Sequence, residues 1–133
     1  NKDVDLVYGD SCEVSEIPSL DKKYPLKPSE HSFMPFTKEN MIKCLPGALP
    51  LWRKSMHDKV GLFNENYKSA GDWEMWLRMA KAGYKFKLIP EILCIYLDHN
   101  ETVSNLSQNQ SSLQQQYINL SEKYSSFSRF NRL

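Results

Sequence analysis

A length of 133 residues suits one domain, able to bury roughly two-thirds of the surface its unfolded chain exposes. The 17 basic and 16 acidic residues leave a net charge of +1, which removes the main argument for nucleic acid binding, a basic patch. No apolar run approaches the ~20 residues of a membrane span, and the polar start Asn1-Lys2-Asp3 is no signal peptide. Without an initiator Met, the chain reads as a fragment. Cys12, Cys44 and Cys94 form no C-x-x-C pair, so metal-ligand spacing is absent, and they read as buried free thiols in a reducing cytosol.

Taken in chain order, Val4-Asp5-Leu6-Val7-Tyr8 is β-branched and apolar and predicts a strand that ends at the turn signal Gly9-Asp10. Residues 11–32 are polar and carry Pro18, Pro25 and Pro28, which forbid a regular helix and predict a long irregular excursion. A short helix is expected over 38–44, capped by Thr37 and ended by Pro46-Gly47. Residues 48–53 read as a buried strand interrupted by Pro50, and 56–60 as one helical turn before Gly61.

The clearest helix is predicted over about 70–82. Trp73, Trp76, Leu77 and Ala80 recur at i, i+3, i+4 and i+7 and are expected on one face. Glu74 and Arg78 are spaced as a surface pair with the acid first, and Gly83 is placed to end the helix in a left-handed conformation. Two strands follow, over 85–89 and 92–97, with Pro90-Glu91 between them. In the Ser-, Gln- and Asn-rich tail, Leu106, Leu113, Tyr117, Leu120, Tyr124 and Phe127 form a heptad-like stripe. It predicts one long amphipathic helix over 105–133, packed on residues 1–104 or, alternatively, on a second copy as a homodimer.

One ordered set of motifs stands out: Trp52-Arg53, then Val60-Gly61-Leu62-Phe63-Asn64-Glu65, then Ala70-Gly71-Asp72-Trp73-Glu74-Met75-Trp76-Leu77-Arg78. Gly83, Ile89-Pro90-Glu91 and Tyr96-Leu97-Asp98-His99 follow in order. This set resembles the C-terminal part of family 2 glycosyltransferases, over about residues 3–104. The resemblance implies an α/β fold, the C-terminal acceptor-binding half of a GT-A nucleotide-diphospho-sugar transferase, with a mixed sheet flanked by helices. It implies transfer of a sugar from a nucleotide-diphosphate sugar to a hydroxyl acceptor, glycan or lipid-linked, with inversion. Bacterial polysaccharide synthesis is the setting it suggests, in the cytoplasm and peripheral to the inner face of the membrane. The nucleotide-binding half is expected outside these residues, and this chain alone is expected to be inactive.

In that family the aspartate matching Asp72 is the catalytic base. The chemistry suits it, because a hydroxyl is a poor nucleophile and a carboxylate must take its proton as the new bond forms. Ser69-Ala70-Gly71-Asp72 also fits a capping box, in which the acid merely caps the helix; the two roles are compatible. The family usually has Glu where Gly71 stands, which reduces the local charge. Gly71, Trp73 and Glu74 are implied at the acceptor or donor site, Trp73 by stacking on sugar and Glu74 by accepting sugar hydroxyls. The alternative for Trp73 is the core, and for Glu74 a solvated pair with Arg78.

Arg53 is implied near the diphosphate or acceptor, with a structural ion pair as the alternative. His99 matches a late histidine that reaches the metal or diphosphate, although Leu97 replaces the arginine often found after the matching tyrosine. A divalent ion, Mn²⁺ or Mg²⁺, is expected in the intact enzyme, with His99 the one tentative ligand in this chain. Asp3-Val4-Asp5 has D-x-D spacing but opens a strand rather than ending one, so it is not read as the metal motif. His31 and His57 are expected at the surface, and the N-x-[ST] matches in the tail as chance. A non-catalytic glycan-binding module using Trp52, Trp73 and Trp76 as a platform, and a self-association domain through the tail stripe, are the competing readings.

Overall fold

The structure is a computed structural model. It describes residues 3–16, 19, 34–37, 40, 45–46, 49–68, 70–97, 115–116, 118–120 and 122–124. The elements run β1 (Leu6–Val14), β2 (Leu51–Trp52), α1 (Met56–Val60), α2 (Gly71–Lys81) and β3 (Phe86–Leu97). The strands form one mixed sheet in the order β2-β1-β3, with β1 antiparallel to β2 and parallel to β3.

Two sequence signals read as chain breaks are instead bulges. β1 does not end at Gly9-Asp10 but continues to Val14. The expected pair of strands around Pro90 is one strand of 12 residues. Tyr8 pairs with Leu88 and Asp10 with Ile92, so three residues of β3 oppose Gly9 alone. The reason is steric. A Cβ on Gly9 would lie 2.4 Å from Leu93 Cδ1 and 3.0 Å from the Glu91 carbonyl oxygen, so this glycine permits a close approach rather than a turn. Pro90 is tolerated because it lies in the bulge of an outer strand. The strand expected over 48–53 is shorter, forming only at Leu51 and Trp52.

α2 is the centre of the fold. Its buried residues divide between two faces rather than one. Met75, Trp76 and Met79 pack with Leu6, Tyr8 and Met56 against the sheet. Trp73 and Leu77 pack with Ala70, Leu120 and Tyr124 against the tail. A helix covered on two sides needs apolar side chains on both, which is why Trp73 and Trp76, expected on one face, diverge. α2 ends in a Schellman motif. Gly83 has φ +92°, its N–H donates to Ala80 O at 3.0 Å, and the Tyr84 N–H donates to Met79 O at 3.3 Å.

The four-residue connection from α2 into β3 reverses the chain. Asp5 N–H bonds Lys85 O at 2.9 Å, and Lys59 Nζ bonds Ala82 O at 3.0 Å. The C-terminus of α2 therefore lies near the start of β1 and β3.

The tail is helical at 115–116, 118–120 and 122–124; a long continuous helix over 105–133 is not shown, since the other positions lie outside the described residues. So do Leu106, Leu113, Tyr117 and Phe127 of the stripe, the interior of the helix expected over 38–44, and most of the excursion. At that helix's expected start, Thr37 Oγ1 accepts the Asn40 N–H at 3.3 Å. Cys12 is buried and Cys94 half-buried, both as free thiols; burial raises the Cys94 thiol, and nearby Cys12 and Asp10 add to the effect. No described helix is long and apolar enough to cross a membrane.

Candidate active site at the N-terminus of α2

Ala70 is the N-cap of α2 and makes no side-chain capping bond. The expected capping box needs Ser69 as the cap, one residue earlier, and Ser69 lies outside the described residues. Asp72 occupies the first turn, half-buried, and its Oδ1 accepts its neighbour's Trp73 N–H at 2.7 Å. That bond ties one carboxylate oxygen to the first turn. Gly71 beside it is half-buried, and a Cβ there would meet only Tyr67 Cβ, at 3.9 Å. The glycine is therefore not demanded by packing at its Cβ position.

The neighbouring motif residues are structural in their contacts. Trp73 is 1% exposed in the tail-facing core. Glu74, read alternatively as solvated, is also 1% exposed. Its carboxylate accepts from Arg78 Nε at 3.2 Å and Arg78 Nη2 at 2.8 Å, with Lys123 Nζ 3.9 Å away. The surface pair expected from the i, i+4 spacing is thus a buried one. Arg78 uses its remaining donors on the Val60 carbonyl and on Leu62 O at 2.9 Å. One guanidinium joins the α1–α2 turn to the helix, which gives a physical reason for Val60-Gly61-Leu62 and Arg78 to occur together.

Burial raises the Tyr124 hydroxyl to about 12, with the Glu74 charge a further cause. Among the described residues no buried side-chain polar atom lacks a partner.

Arg53 directly follows β2. Its Nε donates to Val4 O at 3.2 Å and stands 3.9 Å from Asp5 Oδ1. Those residues precede β1, at the end of the sheet where α2 finishes. These contacts with Val4 and Asp5 match the structural ion pair that was the alternative for Arg53. His99 and His31 lie outside the described residues.

His57, expected at the surface, is half-buried and bridges two groups. Trp52 Nε1 donates to its Nε2 at 2.9 Å, and its Nδ1 lies 2.9 Å from Gly61 O. An indole nitrogen only donates and a carbonyl only accepts, so the two contacts together match the tautomer that carries its hydrogen on Nδ1. His57 thereby sets Trp52, whose ring meets Trp76 edge-on at 5.1 Å between centroids.

Two contributors escaped the sequence reading. Gln116 Oε1 accepts the Ala70 N–H at 3.4 Å, and Lys123 reaches Glu74. Both lie on the tail in the frame of the Leu120/Tyr124 stripe, but nothing in their own identity marks them. No group of three or more His, Cys, Asp or Glu side chains among the described residues can hold a metal ion. His99, the tentative ligand, lies outside the described residues.

No family model matches the chain, and no solved structure matches it. Over 75 residues the chain is 32% identical to an uncharacterised glycosyltransferase, YwdF, of Bacillus subtilis (strain 168). The match covers 56% of this chain and 27% of that protein, so the chain spans about a quarter of its relative's length. At the coarse level this is a relationship to a glycosyltransferase.

Proposed function

We propose that these residues form the acceptor side of an inverting, nucleotide-sugar-dependent glycosyltransferase of family 2 with a GT-A-type fold, and that Asp72 is its catalytic base. The nucleotide-binding half is expected outside the matched segment. The observation that carries the reading is the contrast at the start of α2. Trp73, Glu74 and Trp76 are each 1% exposed, whereas Asp72, in the same first turns of the helix, is half-exposed. The relationship to a protein named as a glycosyltransferase supports the same reading.

In the proposed step, Asp72 accepts the proton of an acceptor hydroxyl while the hydroxyl oxygen attacks the anomeric carbon, and the bond from that carbon to the nucleotide diphosphate breaks on the opposite side, the diphosphate leaving with the electron pair. The bond to Trp73 N–H holds one carboxylate oxygen and orients the group. No step is assigned to a metal. Trp73 and Glu74 serve by support: Trp73 anchors the turn in the core, and Glu74 fixes Arg78. A glycan-binding platform of tryptophans is disfavoured because Trp73 and Trp76 present no face to solvent.

The decisive experiment is Asp72→Asn in the full-length enzyme. Transfer is expected to be lost while nucleotide-sugar binding persists. Near-wild-type transfer by that variant would refute the base assignment.

A further inference from the structure

The first N–H groups of a helix have no partner within it, and leaving one unmet in a buried place is costly. Ala70 is fully buried and supplies no cap of its own. Its N–H is met from 46 positions away by the Gln116 carboxamide oxygen. The contact is not isolated. Leu120 is fully buried and Tyr124 nearly so, against Trp73 and Leu77, and Lys123 stands 3.9 Å from Glu74.

Gln116, Leu120 and Tyr124 succeed one another at helical spacing along the tail, as do Ala70, Trp73 and Leu77 along α2. The contacts therefore advance together, with the two stretches side by side and pointing the same way. That register brings Gln116 level with the turn that bears Asp72.

We propose that Gln116 is a positioning residue for Asp72. Its side-chain oxygen closes the open end of α2 and fixes the turn 70–73 from outside, so that the tail sets the direction of the carboxylate. The catalytic consequence rests on the transferase reading; the structural part does not.

The test compares wild type with Gln116→Leu, which removes the acceptor oxygen, and Gln116→Glu, which keeps one. Leu120→Ala serves as a control that loosens the docking generally. Amide hydrogen exchange is read along α2 in this chain. Exchange in Gln116→Leu is expected to rise about tenfold at residues 70–73, the size of effect one unmet buried N–H produces, with residues 77–81 unchanged. Gln116→Glu is expected to restore protection, and Leu120→Ala to raise exchange over the whole helix.

The second arm uses the full-length enzyme, with UDP-glucose, UDP-N-acetylglucosamine and GDP-mannose as donors and methyl glycosides as acceptors. There kcat is expected to fall about tenfold in Gln116→Leu with the donor KM unchanged, and to recover in Gln116→Glu. Unaltered exchange at 70–73, a rise spread over all of α2 in Gln116→Leu, or a loosened turn with undiminished kcat would each overturn the proposal. A wild-type enzyme silent with every donor counts against the transferase reading alone, and the exchange result then decides where Gln116 acts.

Discussion

Replacing Arg78 with Met should be among the most damaging single changes in this protein. Glu74 is 1% exposed and takes two charge-assisted bonds from Arg78, at 3.2 and 2.8 Å. Without Arg78 its charge faces only Lys123, 3.9 Å away and half-exposed, and the Tyr124 hydroxyl. Stranding one member of a buried pair costs about 3–5 kcal/mol. Lys123 and Tyr124 place this case near the lower end. The carbonyls of Val60 and Leu62 lose their donor as well, at about 1 kcal/mol each.

A total of about 3–5 kcal/mol corresponds to a fall in Tm of roughly 10–20 °C at this chain length. Urea unfolding followed by fluorescence of the buried tryptophans reads the effect directly. The double variant Glu74→Leu/Arg78→Met removes both charges and keeps only the carbonyl losses, so it should recover to within about 2 kcal/mol of wild type. A cost under about 1 kcal/mol for Arg78→Met, typical of an exposed pair, would refute the reasoning. So would a double variant no better than the single.

Three further outcomes follow from the packing and the titrating groups. Gly71→Glu should leave stability unchanged or raise it by up to about 1 kcal/mol, since the site has room and acids favour a helix N-terminus; a loss above that in urea unfolding would show the position to be closed. Gly9→Ala should cost on the order of 1 kcal/mol, because Leu93 is exposed and can turn aside while the Glu91 carbonyl at 3.0 Å cannot; Leu93→Ala should relieve only part of it in a double-variant cycle. Burial raises the hydroxyls of Tyr8 and Tyr124 to about 12. The folded state thus holds protons that the unfolded chain releases near pH 10, so stability is full below that pH and falls between about pH 10 and 12. Ultraviolet titration of the 7 tyrosines should show two ionising late, together with unfolding; seven ordinary transitions would contradict the burial.

Much of this was legible where the signal is local. The end of α2 at Gly83 depends on one backbone conformation that glycine adopts without strain, and it appears where expected. The single turn 56–60 and its stop at Gly61 are local in the same sense. What failed depended on distant neighbours. Gly9 and Pro90 are turn-formers in isolation, but each lies opposite the other's strand in a shared bulge. The i, i+4 spacing of Glu74 and Arg78 gave the pair correctly and its burial wrongly, since the tail residues that cover it are about 50 positions away. The division of Trp73 from Trp76 has the same cause. Asp72 was identified by resemblance; its geometry adds a half-exposed carboxylate on a fixed turn.

The position of β3 bears on how the protein behaves in solution. Among the described residues β3 has a neighbour on one side only, and it exposes Leu93, Ile95 and Tyr96 near its end. A long outer strand with apolar side chains is a template for another strand. Pro90 and its bulge spoil the middle of that template and a second register shift falls at Leu93, but 94–97 are regular. Concentrated samples of this chain should therefore associate through that stretch, and Leu93→Lys with Ile95→Lys should disperse them without touching the turn that carries Asp72.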